Sequence, residues 1–173
     1  MFSAAVLFAS LLLTSGMAFA QITSSGTLTV NASLDSTINL TFVSDASGVA
    51  LTGSGTNAAT LDFGAVSQTG SLASNVTRTP GTGNMVISTP FDVSVTKSNL
   101  TSADYSLTAQ LGTADVVNTW KIDTFSLNAS TPTSLTAIGA YASNASHTLG
   151  LTIPNSELAG AISDTINFVA TAN

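Results

Sequence analysis

From Thr27 to its end the chain alternates between apolar and polar positions. Leu28, Val30, Ala32 and Leu34 fall on one side of an extended backbone, and Thr27, Thr29, Asn31 and Ser33 on the other. After Asp35-Ser36 the pattern resumes at Ile38, Leu40 and Phe42. A Gly-, Ser- and Asn-rich loop from Ser44 to Ala59 follows, with a short strand expected at Val49 to Leu51. Leu61-Asp62-Phe63-Gly64-Ala65-Val66 reads as the next strand. Ser67 to Asn84 is polar and turn-rich, with a weak strand near Val76. Met85 to Ser88 and Phe91 to Thr96 read as separate strands, the second opened by Pro90, where a missing N–H is tolerated. Tyr105 to Leu111 and Trp120 to Leu127 read as neighbouring strands joined by the loop Gly112 to Asn118. Leu135 to Tyr141, Thr148 to Ile153 and Ile162 to Ala172 complete the series.

That is about nine strands, with turn clusters roughly every ten residues and no helix of three turns. This is the spacing of an antiparallel β-sandwich or barrel. No linker and no repeat of fixed period divides the region, so one domain is expected.

The first 20 residues differ from the rest. Val6 to Leu13 is an almost unbroken apolar run, and Ala18-Phe19-Ala20 follows as a small-residue cleavage pattern. The run is short of the roughly 20 apolar residues that a membrane span needs. Residues 1–20 therefore read as a signal peptide for the Sec route, and the mature chain as Gln21 to Asn173, secreted or held at the cell surface. Met1 to Ala5 lacks the Lys or Arg that usually precedes such a run, which places the expected start codon upstream.

Charge narrows the partners. The net charge is −6, and the cations are Arg78, Lys97 and Lys121. Three scattered cations do not supply the phosphate contacts that nucleic-acid binding needs, nor attraction to an anionic membrane. No insertion of the mature chain into a membrane is expected. Charged residues make up only 7% of the chain, whereas residues 21–173 hold 48 Ser and Thr. A surface solvated by hydroxyls titrates little and desolvates at low cost, which suits extracellular life and subunit packing. Cysteine is absent, so no disulfide braces the fold.

Recognisable catalytic chemistry is missing. A triad needs a base, usually His, and His147 is the single histidine, placed at the start of a strand and read as a surface or strand-edge residue. The nine acids are spread singly, without a calcium-loop run. Trp120 sits in an alternating strand and reads as core rather than as a sugar platform. No enzyme activity, cofactor or metal is expected. Six Asn-x-Ser/Thr sequences occur, at Asn31, Asn39, Asn75, Asn99, Asn128 and Asn144. They are candidate glycosylation acceptors, although this composition yields about four by chance.

The N-terminal row of Leu28, Val30, Ala32 and Leu34 has two readings. It is either the first strand of its own sandwich or a strand that pairs with the edge of a neighbouring subunit. A head-to-tail contact of the second kind need not close and generates filaments.

With its exported leader, this short alternating extension, Leu61-Asp62-Phe63-Gly64 and the ending Gly160-Ala161-Ile162-Ser163-Asp164-Thr165-Ile166, the chain resembles bacterial pilin-like subunits of the chaperone–usher type and the related spore-coat-U-like secreted domains. The resemblance implies a single immunoglobulin-like antiparallel β-sandwich over residues 37–173 and an N-terminal extension over residues 21–36. It implies that Leu28, Val30, Ala32 and Leu34 are donor positions that complete the next subunit's fold. The partner would be the chain itself, as a homopolymer, helped by an assembly chaperone or outer-membrane usher. Many such subunits carry a disulfide, and this chain departs from them in having none. The alternative function is a monomeric secreted binding module, an adhesin or carbohydrate-binding sandwich.

Overall fold

The computed structural model describes residues 25–173, and the signal-peptide reading of residues 1–20 lies outside them. The chain divides between Ser33 and Leu34. Residues 25–36 form no helix, strand or turn and are exposed throughout. Leu28, Val30 and Leu34 are 86%, 79% and 81% exposed.

The remainder is all-β among the described residues. The strands are β1 (Thr37–Val43), β2 (Thr77–Pro80), β3 (Asn84–Ser98), β4 (Tyr105–Leu111), β5 (Thr119–Ile122), β6 (Phe125–Ser126), β7 (Thr133–Gly139), β8 (Asn144–Pro154) and β9 (Ile166–Ala172). They form two antiparallel sheets. The larger has six strands in the order β1-β3-β8-β5-β6, with β2 also pairing β3, and the smaller has three in the order β7-β4-β9.

The spine of the larger sheet is β3. Its alternation runs unbroken through Met85, Ile87, Thr89, Phe91, Val93 and Val95, all buried. The expected break at Pro90 is absent: one strand of 15 residues replaces two. The reason is local. One edge of β3 pairs with β2 as far as Ser88 and with β1 from Asp92 onward. Pro90 lies in the interval between them, where that edge carries no ladder for a proline to interrupt.

Side chains close this interval. The Thr89 hydroxyl, on a residue 1% exposed, donates to the Asn75 carbonyl at 2.9 Å and accepts the Val49 N–H at 2.9 Å. Asn75, in the left-handed region at φ 66°, donates its side-chain amide to the Gly48 carbonyl at 2.8 Å. Polar groups that no strand satisfies are thus satisfied one by one.

Other expectations change as well: Val49 to Leu51 forms no strand, and the last strand begins at Ile166 rather than Ile162. Residues 61–66 form no strand; Asp62 Oδ1 accepts the Gly64 N–H at 2.8 Å, and Gly64 turns the chain at φ 69°. The segment expected as one strand from Trp120 to Leu127 is a hairpin, β5 and β6, turned at Asp123 with φ 55°. Its supposed neighbour β4 belongs to the other sheet. The loop Gly112–Asn118 therefore crosses between sheets.

The core lies between the sheets. Ile87, Val93, Val95 and Ile122 from the larger sheet meet Tyr105, Leu107 and Ala109 from the smaller, all 1% exposed or less. Replacing Thr89 with valine keeps the shape but leaves the Val49 N–H and the Asn75 carbonyl without partners. Stability, measured by chemical denaturation, should fall by about 1–3 kcal/mol, with the larger loss of protection from hydrogen exchange at Val49.

Candidate functional site

Six strands face three, so the smaller sheet does not cover the larger. Part of the larger sheet's inner face, including Met85, Ile87, Leu151 and Ile153, is met by coil rather than strand. Two segments supply the cover, residues 57–68 and 157–168, the second running into β9. They leave a groove of about 1410 Å³. Leu40 and Phe42 of β1 and Ile166 and Phe168 of β9 line it as well. These four residues, with Leu61 and Phe63, are only partly buried.

Two strand edges flank the groove. Among the described residues β1 pairs only with β3, and β9 only with β4. On the other edge of β1 the Phe42 N–H and carbonyl are taken by the Thr56 carbonyl at 2.8 Å and the Gly55 N–H at 2.7 Å, so a further strand can pair there only ahead of Phe42, at Ile38 and Leu40, and along the outer edge of β9. At one point the strands are tied: the Phe42 and Phe168 rings meet edge to face at 5.0 Å, and Phe168 meets Phe91 at 6.0 Å.

The walls are pinned. Arg78 donates from its guanidinium to the Ser67 carbonyl at 2.6 Å and the Gly70 carbonyl at 3.0 Å, holding the end of the 57–68 segment. Asp164 Oδ1 accepts the N–H groups of Thr113 at 3.3 Å and Thr165 at 2.6 Å. The Gly112 N–H donates to the Thr165 carbonyl at 2.6 Å. Asp62, Glu157 and Asp164 bring negative charge to the lining, and no Lys or Arg lies there. The groove can therefore take an extended apolar segment, with backbone hydrogen bonds at its edge and side chains dropping inward.

The sequence-predicted residues are placed as follows. Leu28, Val30, Ala32 and Leu34 lie on the exposed segment before β1. Asn31, Asn39, Asn75, Asn99, Asn128 and Asn144 are all on the surface, but several side chains are engaged. The amide nitrogens of Asn75, Asn99 and Asn144 donate to the Gly48 carbonyl, the Asp35 carbonyl and Asp92 Oδ2. Asn128 uses Oδ1 to accept the Ser130 and Thr131 N–H groups and the Ser130 hydroxyl.

His147 is a correction. It is not at the surface but 5% exposed, pointing inward on β8. Its Nδ1 lies 2.8 Å from Asp123 Oδ2, while Asp123 Oδ1 accepts the Thr148 N–H at 2.8 Å. Its Nε2 is buried without a partner, and its ring lies 6.0 Å from that of Phe91. Histidine and aspartate here fasten the β5–β6 turn to β8. Trp120 is also buried and donates its indole N–H to Asp115 Oδ2 at 2.9 Å. No group of three or more metal-ligating side chains occurs among the described residues.

Asp115 organises the crossing loop. Burial pushes its carboxyl up, but the Asn118 N–H, the Trp120 indole and the Val117 N–H outweigh burial and hold it below its ordinary 3.8. A depressed carboxyl stabilises the fold fully above its unfolded value and loses that contribution as pH falls through the lower folded value. Melting temperature should therefore decline below about pH 4, and Asp115→Asn should flatten this part of the profile while lowering stability at neutral pH.

No family model, curated protein or solved structure matches the chain.

Proposed function

We propose that the protein is a structural subunit of an extracellular filament or pilus, polymerised non-covalently by strand donation. Residues 27–34 of one subunit enter the groove of the next, where Leu28, Val30, Ala32 and Leu34 face inward. On this reading the sandwich is of the immunoglobulin-like, pilin-like type, lacking one strand that a neighbour provides. The chain is exported by the Sec route and polymerises head to tail, with an assembly chaperone or usher guarding the groove beforehand. It is not an enzyme.

One observation carries the reading: a single chain holds both an open apolar groove beside two strand edges, free except at Phe42, and a row of alternating apolar residues that is exposed and in no strand among the described residues. Dimensions agree. Extended, residues 27–34 reach about 25 Å, close to the length of the seven-residue strand β9. Burying each large donor side chain contributes about 1.5–3 kcal/mol, and edge hydrogen bonds add direction and register. With donor and acceptor at different places on the subunit, the contact propagates rather than closes. Scarce charge lowers the desolvation cost of packing.

Negative-stain microscopy of native surface material and of the purified chain from Gln21 tests this. Filaments are expected, and both deletion of residues 21–36 and Val30→Asp should abolish them. Val30 is exposed, so that substitution leaves the sandwich intact. Mixing Val30→Asp with a groove-blocked Leu40→Glu chain should give dimers and nothing longer, because only one junction can form. Monodisperse single domains in every sample would sink the proposal and favour the monomeric binding module.

A further inference from the structure

A subunit that carries both a donor strand and an acceptor groove can, in principle, fill its own groove and stop. Given the strand-acceptor reading above, on which this inference rests, we infer that Asn99 is a positioning residue that keeps residues 27–34 out of their own groove and directs them to a neighbour.

Thr37 pairs with Ser98, the last residue of β3. Asn99 follows in the left-handed region at φ 55°, a conformation asparagine tolerates better than most residues. It grips the chain ahead of β1 twice. Its side-chain amide donates to the Asp35 carbonyl at 3.1 Å, and its carbonyl accepts the Ser36 hydroxyl. Asp35 and Ser36 are thus held against the residue after β3, beside the start of β1, instead of being free to turn.

Strand parity decides what that grip costs a fold-back. The residues that β1 presents to the groove are Ile38, Leu40 and Phe42. Directly paired residues of two antiparallel strands share a face. If the chain folded back through a two-residue loop, Asp35-Ser36, Leu34 would pair with Thr37. Ser33, Asn31 and Thr29 would then oppose Ile38, Leu40 and Phe42, turning the polar row inward. A one-residue slip corrects the face. With the loop Asp35-Ser36-Thr37, Leu34 opposes Ile38 and Ala32 opposes Leu40, and Val30 reaches the Phe42 side chain, whose backbone groups Thr56 and Gly55 already hold. That loop needs all three residues that Asn99 and Ser98 hold. The short loop has the wrong face, and the right loop must first break both Asn99 contacts and the Thr37–Ser98 pairing. A neighbour's strand arrives without a loop and takes the favourable register freely.

Hydrogen exchange of amides 27–34 in the full mature chain, followed from filament-forming concentrations down to isolated subunits, tests the role of Asn99. In the unaltered chain protection should vanish on dilution. Asn99→Asp keeps the shape and tolerates the backbone but has no side-chain N–H to donate; Asn99→Gly removes the side chain without backbone strain. Each should raise concentration-independent protection of residues 27–34 about fivefold, the effect of releasing one net hydrogen bond, and should shorten filaments. Ser36→Ala, on the exposed partner, should act in the same direction. Unchanged concentration dependence in all three variants would overturn the role of Asn99, as would protection of residues 27–34 in isolated unaltered subunits. A labelled peptide of residues 25–36 separates the two proposals. If it protects the amides of β9 in the full chain while the variants do nothing, only the Asn99 role falls. If it fails to protect them, the acceptor groove falls with it.

Discussion

An apolar sheet face must be covered, and here the cover is too narrow. The larger sheet contributes the inner residues of β3, β8 and β5, whereas the smaller sheet has only β7, β4 and β9 to lay over them. Coil from residues 57–68 and 157–165 spans part of the difference and leaves the groove. Coil is a poor cover because its backbone groups turn to solvent or to local turns and do not extend a ladder. The placement of the two strand edges, the partial burial of Leu61, Phe63 and Phe168, and the value of an added strand all follow from this mismatch.

The long strand β3 makes the mismatch possible. By pairing β2 and β1 in succession along one edge and β8 along the other, it extends the larger sheet beyond the reach of β4 and β9. The interval at Thr89 to Phe91 is where this arrangement is most exposed to failure, and Thr89, Asn75 and Val49 hold it. The protein does this without cysteine and with few charges, so packing and hydroxyl hydrogen bonds hold the sandwich together.

Much of the sandwich was legible in the sequence because strands half-buried on one face must alternate. The strands β1, β4 and β8 follow the apolar period closely, whereas β7 ends at Gly139, short of Tyr141, and pairs β4 through a bulge that leaves Ile138 exposed. The misreadings have physical causes. Pro90 reads as a strand opening, since nothing local reveals that its edge lacks a partner there. Leu61-Asp62-Phe63 alternates like a strand, but Asp62 captures the Gly64 N–H and bends the chain. Sheet membership of β4 and β5 depends on distant pairing that neighbouring residues do not encode. His147 was recoverable: it shares parity with Leu149 and Leu151, so an inward position was written in the alternation. The alternating row Leu28 to Leu34 was legible as residues; the groove was not, because its lining is gathered from β1, β3, β8, β9 and two coils far apart in sequence.

If the groove receives residues 27–34 of another copy, position 30 of one chain lies against the groove of the next. The most direct measurement is photo-cross-linking from a benzophenone side chain at position 30, in assemblies mixed from isotopically light and heavy chains. Links of mixed isotope into the groove are expected, at Leu40 to Phe42, Leu61 to Phe63 or Ile166 to Phe168. Links confined to single chains, or to surfaces away from the groove, would contradict this placement.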